Sequence, residues 1–350
     1  MIAACFALKG TPVSCELYGN GHINTTCLVR TDTGNKYILQ KINRHVFHDP
    51  EALMRNIAAV TGFLRRSVTD SRSVLNLVPT RNGEPFHRDE DGEIWRVYDY
   101  VSGSIVLERA ETPYDFRESG AAFGRFQRQL TDFDATSLIE TIPKFHDTPH
   151  RYAQLKEAIK KDTAGRVKDA EREIAFAMER ESCAQTLMCL QTDGTLPLRV
   201  THNDTKLNNV LFDRDTRKAL CVIDLDTVMP GLAVNDFGDS IRFGASTAAE
   251  DETDLDKVSL SLELFEAYAV GYLSNSGLTD AERACLCDGA KMMTLECGIR
   301  FLADYLSGDV YFRTARPGHN LDRARTQLKL VADMERKWDE MRNIVEGERQ

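Results

Sequence analysis

Apolar and polar residues alternate with a period of two over residues 13–18, 25–30 and 36–42, which predicts three β-strands near the amino terminus. Turn signals separate them: Gly19-Asn20-Gly21-His22 before the second run and Thr31-Asp32-Thr33-Gly34-Asn35 before the third. A short helix is expected up to residue 8, a longer one over 50–65, and further strands over 76–80 and 94–101, around an Asn82-Gly83 turn. From residue 115 the apolar spacing lengthens to that of a helix, carried by Phe116, Ala122, Phe123, Phe126 and Leu130. An exposed helical pair over 166–190 leads to β-like segments either side of a polar loop, and then to a strand over 219–223. Helices are predicted over 255–273, 279–306 and 321–345. The chain therefore reads as α+β, with a small antiparallel sheet first and a larger, mostly helical part after it.

At 350 residues and 42% hydrophobic, the chain can bury a large core, and its length suggests two lobes. A net charge of −10 and a pI near 5.4 argue against nucleic acid and anionic membrane as main partners, since both need a basic patch. No apolar run approaches the eighteen residues or so of a spanning helix. Ile2-Ala3-Ala4-Cys5 looks like a lipoprotein cleavage box but has no basic or apolar segment before it. The nine cysteines lack metal-type spacing, so reduced thiols in a cytoplasmic monomer are the expectation.

The chemistry concentrates in one loop, Thr201-His202-Asn203-Asp204-Thr205-Lys206-Leu207-Asn208-Asn209, and in the strand end Ile223-Asp224-Leu225-Asp226. His-x-Asp, an Asn further along, and an Asp closing the next strand form the phosphoryl-transfer arrangement of the protein-kinase superfold. In that arrangement Asp204 sits beside the attacking hydroxyl and takes its proton, while Asn209 and Asp224 offer the oxygen ligands that Mg²⁺ prefers. An ordinary polar loop beside an Asp-capped strand end is the alternative; three residues of the right type at the right spacings count against it. Asp226 either helps a second Mg²⁺ or caps. Asp236-Phe237-Gly238 imitates the metal-binding tripeptide of protein kinases, but it opens a helical stretch and is assigned to structure.

Other positions fill out the picture. Gln40 falls where this superfold places a cation for the nucleotide phosphates, with Lys41 on the opposite face. The helix over 50–65 has no central acid to hold such a cation, only Glu51 near its start. An amide at position 40 would reach phosphate with less electrostatic strength than a lysine. Tyr98-Asp99-Tyr100-Val101-Ser102-Gly103 reads as a hinge whose backbone would meet the adenine edge. Asp147 is expected to cap the helix after it. Glu296, Arg300 and Asp304 recur on one helical face, either as a surface ion-pair stripe or as a buried stripe that needs partners or a ligand.

These residues carry a family resemblance. The 202–209 loop with Ile223-Asp224-Leu225-Asp226 resembles the aminoglycoside-phosphotransferase-like kinases, which phosphorylate small-molecule hydroxyls. Within that family the chain is similar to members acting on the anomeric C1 hydroxyl of N-acetylhexosamines (GlcNAc and GalNAc). That likeness rests on Gly21-His22-Ile23-Asn24, Tyr37-Ile38-Leu39-Gln40, Phe145-His146-Asp147, Asp236 to Ser240, Arg242 to Thr247, and Glu296 to Leu306. It implies a bilobal protein-kinase-like fold, with an N-lobe over 1–97, a hinge over 98–103 and a C-lobe over 104–350. It implies ATP and Mg²⁺ as cofactors, a sugar as the partner, and sugar 1-phosphate and ADP as products. Asp204 is then the base and Asn209 and Asp224 the metal ligands. Gly19, Gly21, Gln40, Tyr98 and Tyr100 serve the nucleotide, while His22, Arg300, Asp304 and Tyr311 serve the sugar.

Overall fold

The computed structural model describes residues 1–19 and 23–347, and the chain divides into two compact units. The first unit comprises Met1–Val106, Asp132–Pro143 and Val210–Pro230. Its five-stranded antiparallel sheet contains β1 (Pro12–Leu17), β2 (Thr25–Thr31), β3 (Lys36–Lys41), β4 (His87–Arg88) and β5 (Ile94–Asp99), in the order β1-β2-β3-β5-β4. The alternation read from the sequence is explained by the register. Leu39 pairs with Val97 and joins Ala3, Phe6, Val29, Tyr37 and Val78 in one apolar cluster, whereas Gln40 pairs with Arg96 on the other face. Helix α1 (Pro50–Leu64) begins where the Asp49 side chain accepts from Ala52 N at 2.9 Å and proline takes the first turn. A second antiparallel sheet joins β6 (Ser104–Val106), β8 (Val210–Asp213) and β9 (Ala219–Val222), so the strand that ends at the Asp224 loop belongs to this unit.

The second unit comprises Leu107–Thr131, Lys144–Asn209 and Gly231–Gln350. Besides the short strand β7 (Arg199–Thr201) it is helical. Its helices are α2 (Pro113–Gln129), α3 (Thr148–Lys161), α4 (Glu171–Met178), α5 (Thr186–Thr192), α6 (Ala233–Gly244), α7 (Leu262–Ser276), α8 (Asp280–Ala284), α9 (Leu286–Ser307), α10 (His319–Arg336) and α11 (Trp338–Gly347). Asp147 caps α3 as expected, accepting from His150 N at 2.9 Å. Helices α6 and α9 cross at backbone distance. A Cβ on Gly238 would lie 2.3 Å from the Gly289 carbonyl oxygen, and one on Gly289 would lie 2.2 Å from that of Val234. Because the obstacle is backbone and not a movable side chain, Gly238→Ala is expected to cost about 1–3 kcal/mol in thermal unfolding, the usual scale of overpacking. A melting temperature equal to the parent's would show that the two helices can part.

Three sequence-based boundaries need correction. Residues 76–80 run extended but form no ladder strand; Val78 N bonds Val97 O at 2.9 Å and the rest pair only at isolated bridges. The helix expected over 279–306 is broken at Cys285: the capping box of Thr279 and Glu282 opens the short α8, which ends at Ala284, and α9 starts afresh at Leu286. The last helix likewise divides at Lys337. Among the described residues, no helix is long and apolar enough to cross a membrane, and all nine cysteines are free thiols.

Candidate active site

The loop after β7 is held by helix α6. Asp236 accepts from His202 N and from Asn203 N, each at 2.8 Å, and from Gln127 Nε2 at 3.1 Å. One turn on, Asp239 accepts from Thr205 N at 3.0 Å, and Ser240 Oγ donates to Thr205 O at 2.6 Å. Thus the Asp-Phe-Gly sequence anchors loop backbone from a buried helix, as its helical setting suggested. Burial pushes the Asp236 carboxyl up, against the His202 and Asn203 N–H groups that favour its charge. Burial also works against the charge on Asp239, but Arg242 and Lys206 outweigh it and hold that carboxyl low. His202 is a structural residue: its fully buried ring meets Phe123 edge-on, and its Nδ1 accepts from Asp204 N at 3.3 Å.

So constrained, the loop presents Asp204. Its Oδ1 lies 2.8 Å from Lys206 Nζ, and its Oδ2 accepts from Asn209 Nδ2 at 3.1 Å. Asn209 Nδ2 also donates to Asp204 O at 2.8 Å, so the amide is turned with its nitrogen toward Asp204. Burial lowers the Lys206 ammonium, but the Asp204 and Asp239 carboxylates more than reverse this and leave its pKa raised. Lys206 went unassigned in the sequence; its place two residues after Asp204 was the available signal.

A second group lies in the same unit, on α9 and the segment before α3. His146 Nδ1 meets Glu296 Oε1 at 2.9 Å, Thr148 Oγ1 donates to Glu296 Oε2 at 2.8 Å, and His146 Nε2 approaches Asn203 O at 3.4 Å. The Arg300 guanidinium stands over two rings, 5.4 Å from the centroid of Phe145 and 5.6 Å from that of Phe312. Asp304 turns to its own loop, accepting from Val310 N at 3.0 Å, Tyr311 N at 2.8 Å and Phe312 N at 2.9 Å. The stripe read on α9 is thus buried at Glu296 and Asp304, with partners from other segments. Tyr311 itself is 69% exposed.

Glu296 provides a pH test. Burial raises its carboxyl, but His146 and Arg300 outweigh that and leave the folded pKa below the ordinary 4.5. A depressed carboxyl contributes stability at neutral pH that is lost as pH falls through the folded value. Glu296→Gln is expected to melt below the parent at pH 7, with the gap closing as the pH falls below about 4.5. A gap that stays constant to acid pH would refute the charge contribution.

The remaining sequence-assigned residues lie in the first unit. Gly19 sits at φ +79°, a left-handed conformation that suits glycine at the end of β1. Gly21 and His22 lie outside the described residues. Both ends of the Gln40 amide are engaged: Nε2 donates to Thr26 Oγ1 at 3.0 Å and Oε1 accepts from Arg96 Nε at 2.9 Å. Tyr98 is buried beneath the Arg96 guanidinium, 5.3 Å from ring centroid to Cζ. Tyr100 packs edge-on to Tyr18, their hydroxyls 3.4 Å apart. Asp224 is exposed and left-handed at φ +58°, whereas Asp226 is buried and ion-paired to Arg96. On α1, Asn56 is buried and binds backbone, donating to Val228 O at 3.0 Å and Ile139 O at 2.8 Å, while Glu51 pairs with Arg88.

Solved structures share this fold across nearly the whole chain. An aminoglycoside phosphotransferase from Alicyclobacillus acidocaldarius matches with a TM-score of 0.65 at 13% identity, covering 99% of this chain and 96% of that one. An amicoumacin kinase in complex with AMP-PNP, Ca²⁺ and Ami matches with a TM-score of 0.63 at 16% identity, over 93% and 91%. A choline kinase from Cryptosporidium parvum matches with a TM-score of 0.55 at 12% identity, over 93% and 90%. These likenesses bear out the mixed α+β, protein-kinase-like fold. Residues 14–273 match the phosphotransferase enzyme family (APH), a span that holds Asp204, Asn209 and Asp224. With most of its length inside that match, the chain belongs to the phosphotransferase enzyme family.

Proposed function

We propose that this phosphotransferase is an N-acetylhexosamine 1-kinase, moving the terminal phosphoryl group of ATP to the anomeric C1 hydroxyl of GlcNAc or GalNAc. The observation that carries the reading is Asp204, presented on a rigid loop with Lys206 on one oxygen and Asn209 on the other. Asp204 accepts the proton of the acceptor hydroxyl and aims its oxygen, the positioning that phosphoryl transfer chiefly needs. Lys206, ion-paired to that carboxylate, adds a cation where phosphate charge must be met. Arg300 supplies directional donors for sugar oxygens, with Phe145 and Phe312 as flat apolar faces beside it; Tyr311 lies next to Phe312, and Asp304 acts by holding their backbone.

The donor set suits Mg²⁺, which takes one or two hard oxygens from protein and the rest from phosphate and water. Asn209 turns its amide nitrogen to Asp204, leaving the oxygen as the metal-side atom, and Asp224 offers an exposed carboxylate. When bound, the metal neutralises phosphate charge. Gly19, Gly21, Gln40, Tyr98 and Tyr100 are assigned to the nucleotide side and His22 to the sugar. The protein is taken to work as a cytoplasmic monomer.

Another sugar or an amino alcohol is the alternative acceptor. An acceptor screen with ATP and Mg²⁺, following ADP release and product by phosphorus NMR, tests this. An anomeric phosphate on either N-acetylhexosamine is expected. ADP release only with choline or aminopropanol would sink the substrate assignment.

A further inference from the structure

The cation absent from position 40 is present one strand away. Gln40 and Arg96 are cross-strand partners, and Arg96, only 1% exposed, forms an ion pair through Nη1 with Asp226 Oδ1. The second oxygen of Asp226 accepts from Asn24 Nδ2 at 2.5 Å, and Asn24 Oδ1 accepts from Asn43 N at 2.9 Å. On the other side, Arg96 Nε donates to Gln40, which donates on to Thr26. A continuous run of polar contacts thus crosses the first unit, from the start of β2 through the loop carrying Asp224 to β5 and β3.

One oxygen of Asp226 accepts from Asn24, the other faces the Arg96 guanidinium as an ion pair, and the residue is 4% exposed. That is a poor state for a metal ligand, which needs a lone pair facing the ion. A buried ion pair adds little stability over an apolar pair of similar volume; its use here is a fixed geometry.

We propose that Arg96 and Asp226 form a buried tether that holds the Asp224 loop in register with Asn24, just before β2, and with Gln40 on β3. Arg96 is a positioning residue that acts through Asp226, and Asp226 is not a metal ligand. The metal side of this inference rests on the kinase reading above.

The two roles for Asp226 predict opposite signs. In full-length protein with a non-hydrolysable ATP analogue, Mn²⁺ affinity is read by electron paramagnetic resonance. As a tether, Arg96→Met weakens Mn²⁺ binding by about 10–100-fold, the scale for lost outer-shell support, and Arg96→Lys recovers most of it. As a ligand, Asp226 freed of Arg96 binds Mn²⁺ more tightly, and that result would overturn the proposal. Arg96→Met leaves a lone buried carboxylate, so Arg96→Met/Asp226→Leu is made beside it to keep the fold. Amide hydrogen exchange at residues 23–28 and 223–228 of the double variant is expected to exceed the parent's, with distant helices unchanged. Parent-like exchange at both segments would overturn the tether. Should the parent bind neither nucleotide nor Mn²⁺, the kinase reading fails, while the exchange comparison still decides the tether.

Discussion

Asp204→Asn is expected to lower kcat by roughly 10²–10⁴-fold, the range that a positioned proton acceptor contributes, while leaving nucleotide affinity at the parent level. The substitution keeps size and shape, and Asn209 can still donate to the remaining oxygen and to the Asp204 carbonyl. What disappears is the anionic acceptor and the partner of Lys206. The loop stays in place because its anchors are backbone groups bound to Asp236 and Asp239, which the substitution does not touch. Steady-state kinetics with the best acceptor, together with calorimetric ADP binding, check both halves. Parent-like turnover would remove Asp204 from the chemistry, and lost nucleotide binding would show that the variant fails for another reason.

The second large effect is on stability. Asp236→Ala strands two buried backbone donors, His202 N and Asn203 N, while Gln127 Nε2 keeps its bond to Val200 O. Each unsatisfied buried donor costs about 1–3 kcal/mol, so a loss of about 2–6 kcal/mol is expected. Asp236→Asn should recover only part, because one of its two side-chain atoms would set an N–H against an N–H. Chemical denaturation of both variants decides the order; an alanine variant as stable as the parent would mean that water replaces the carboxylate. Since the anchored atoms belong to the residues flanking Asp204, turnover is expected to fall in both variants even where they remain folded.

Local patterns were legible in the sequence, and long-range pairings were not. The alternation in residues 36–41 identified β3 and its two faces, and Asp147 was readable as a cap because both cap and target lie within one turn. The 202–209 loop stood out because phosphoryl transfer requires particular residue types at particular spacings, and the family match spans it. Residues 76–80 misled because β-branched and apolar residues make an extended run whether or not a neighbouring strand accepts a ladder. The break at Cys285 was hidden because the helical periodicity continues from α8 into α9 with no glycine or proline at the join. Arg96 was invisible for a deeper reason: nothing local distinguishes a strand arginine facing water from one whose partner, Asp226, lies 130 positions away. Gln40 was noticed as a missing cation, but the neighbour that supplies one came only with the β3–β5 register.

The grip of Asp304 on the 310–312 segment has a consequence for how acceptor preference can drift. A carboxylate that accepts from backbone N–H groups is indifferent to which side chains those residues carry. Val310 and Tyr311 are 79% and 69% exposed, so substitutions there leave the core untouched while changing the surface beside Phe312 and Arg300. The fold thereby uncouples the surface proposed to meet the sugar from its own foundation. New acceptors can be sampled at two positions, by mutation or in a laboratory library, without first finding a compensating stabilising change.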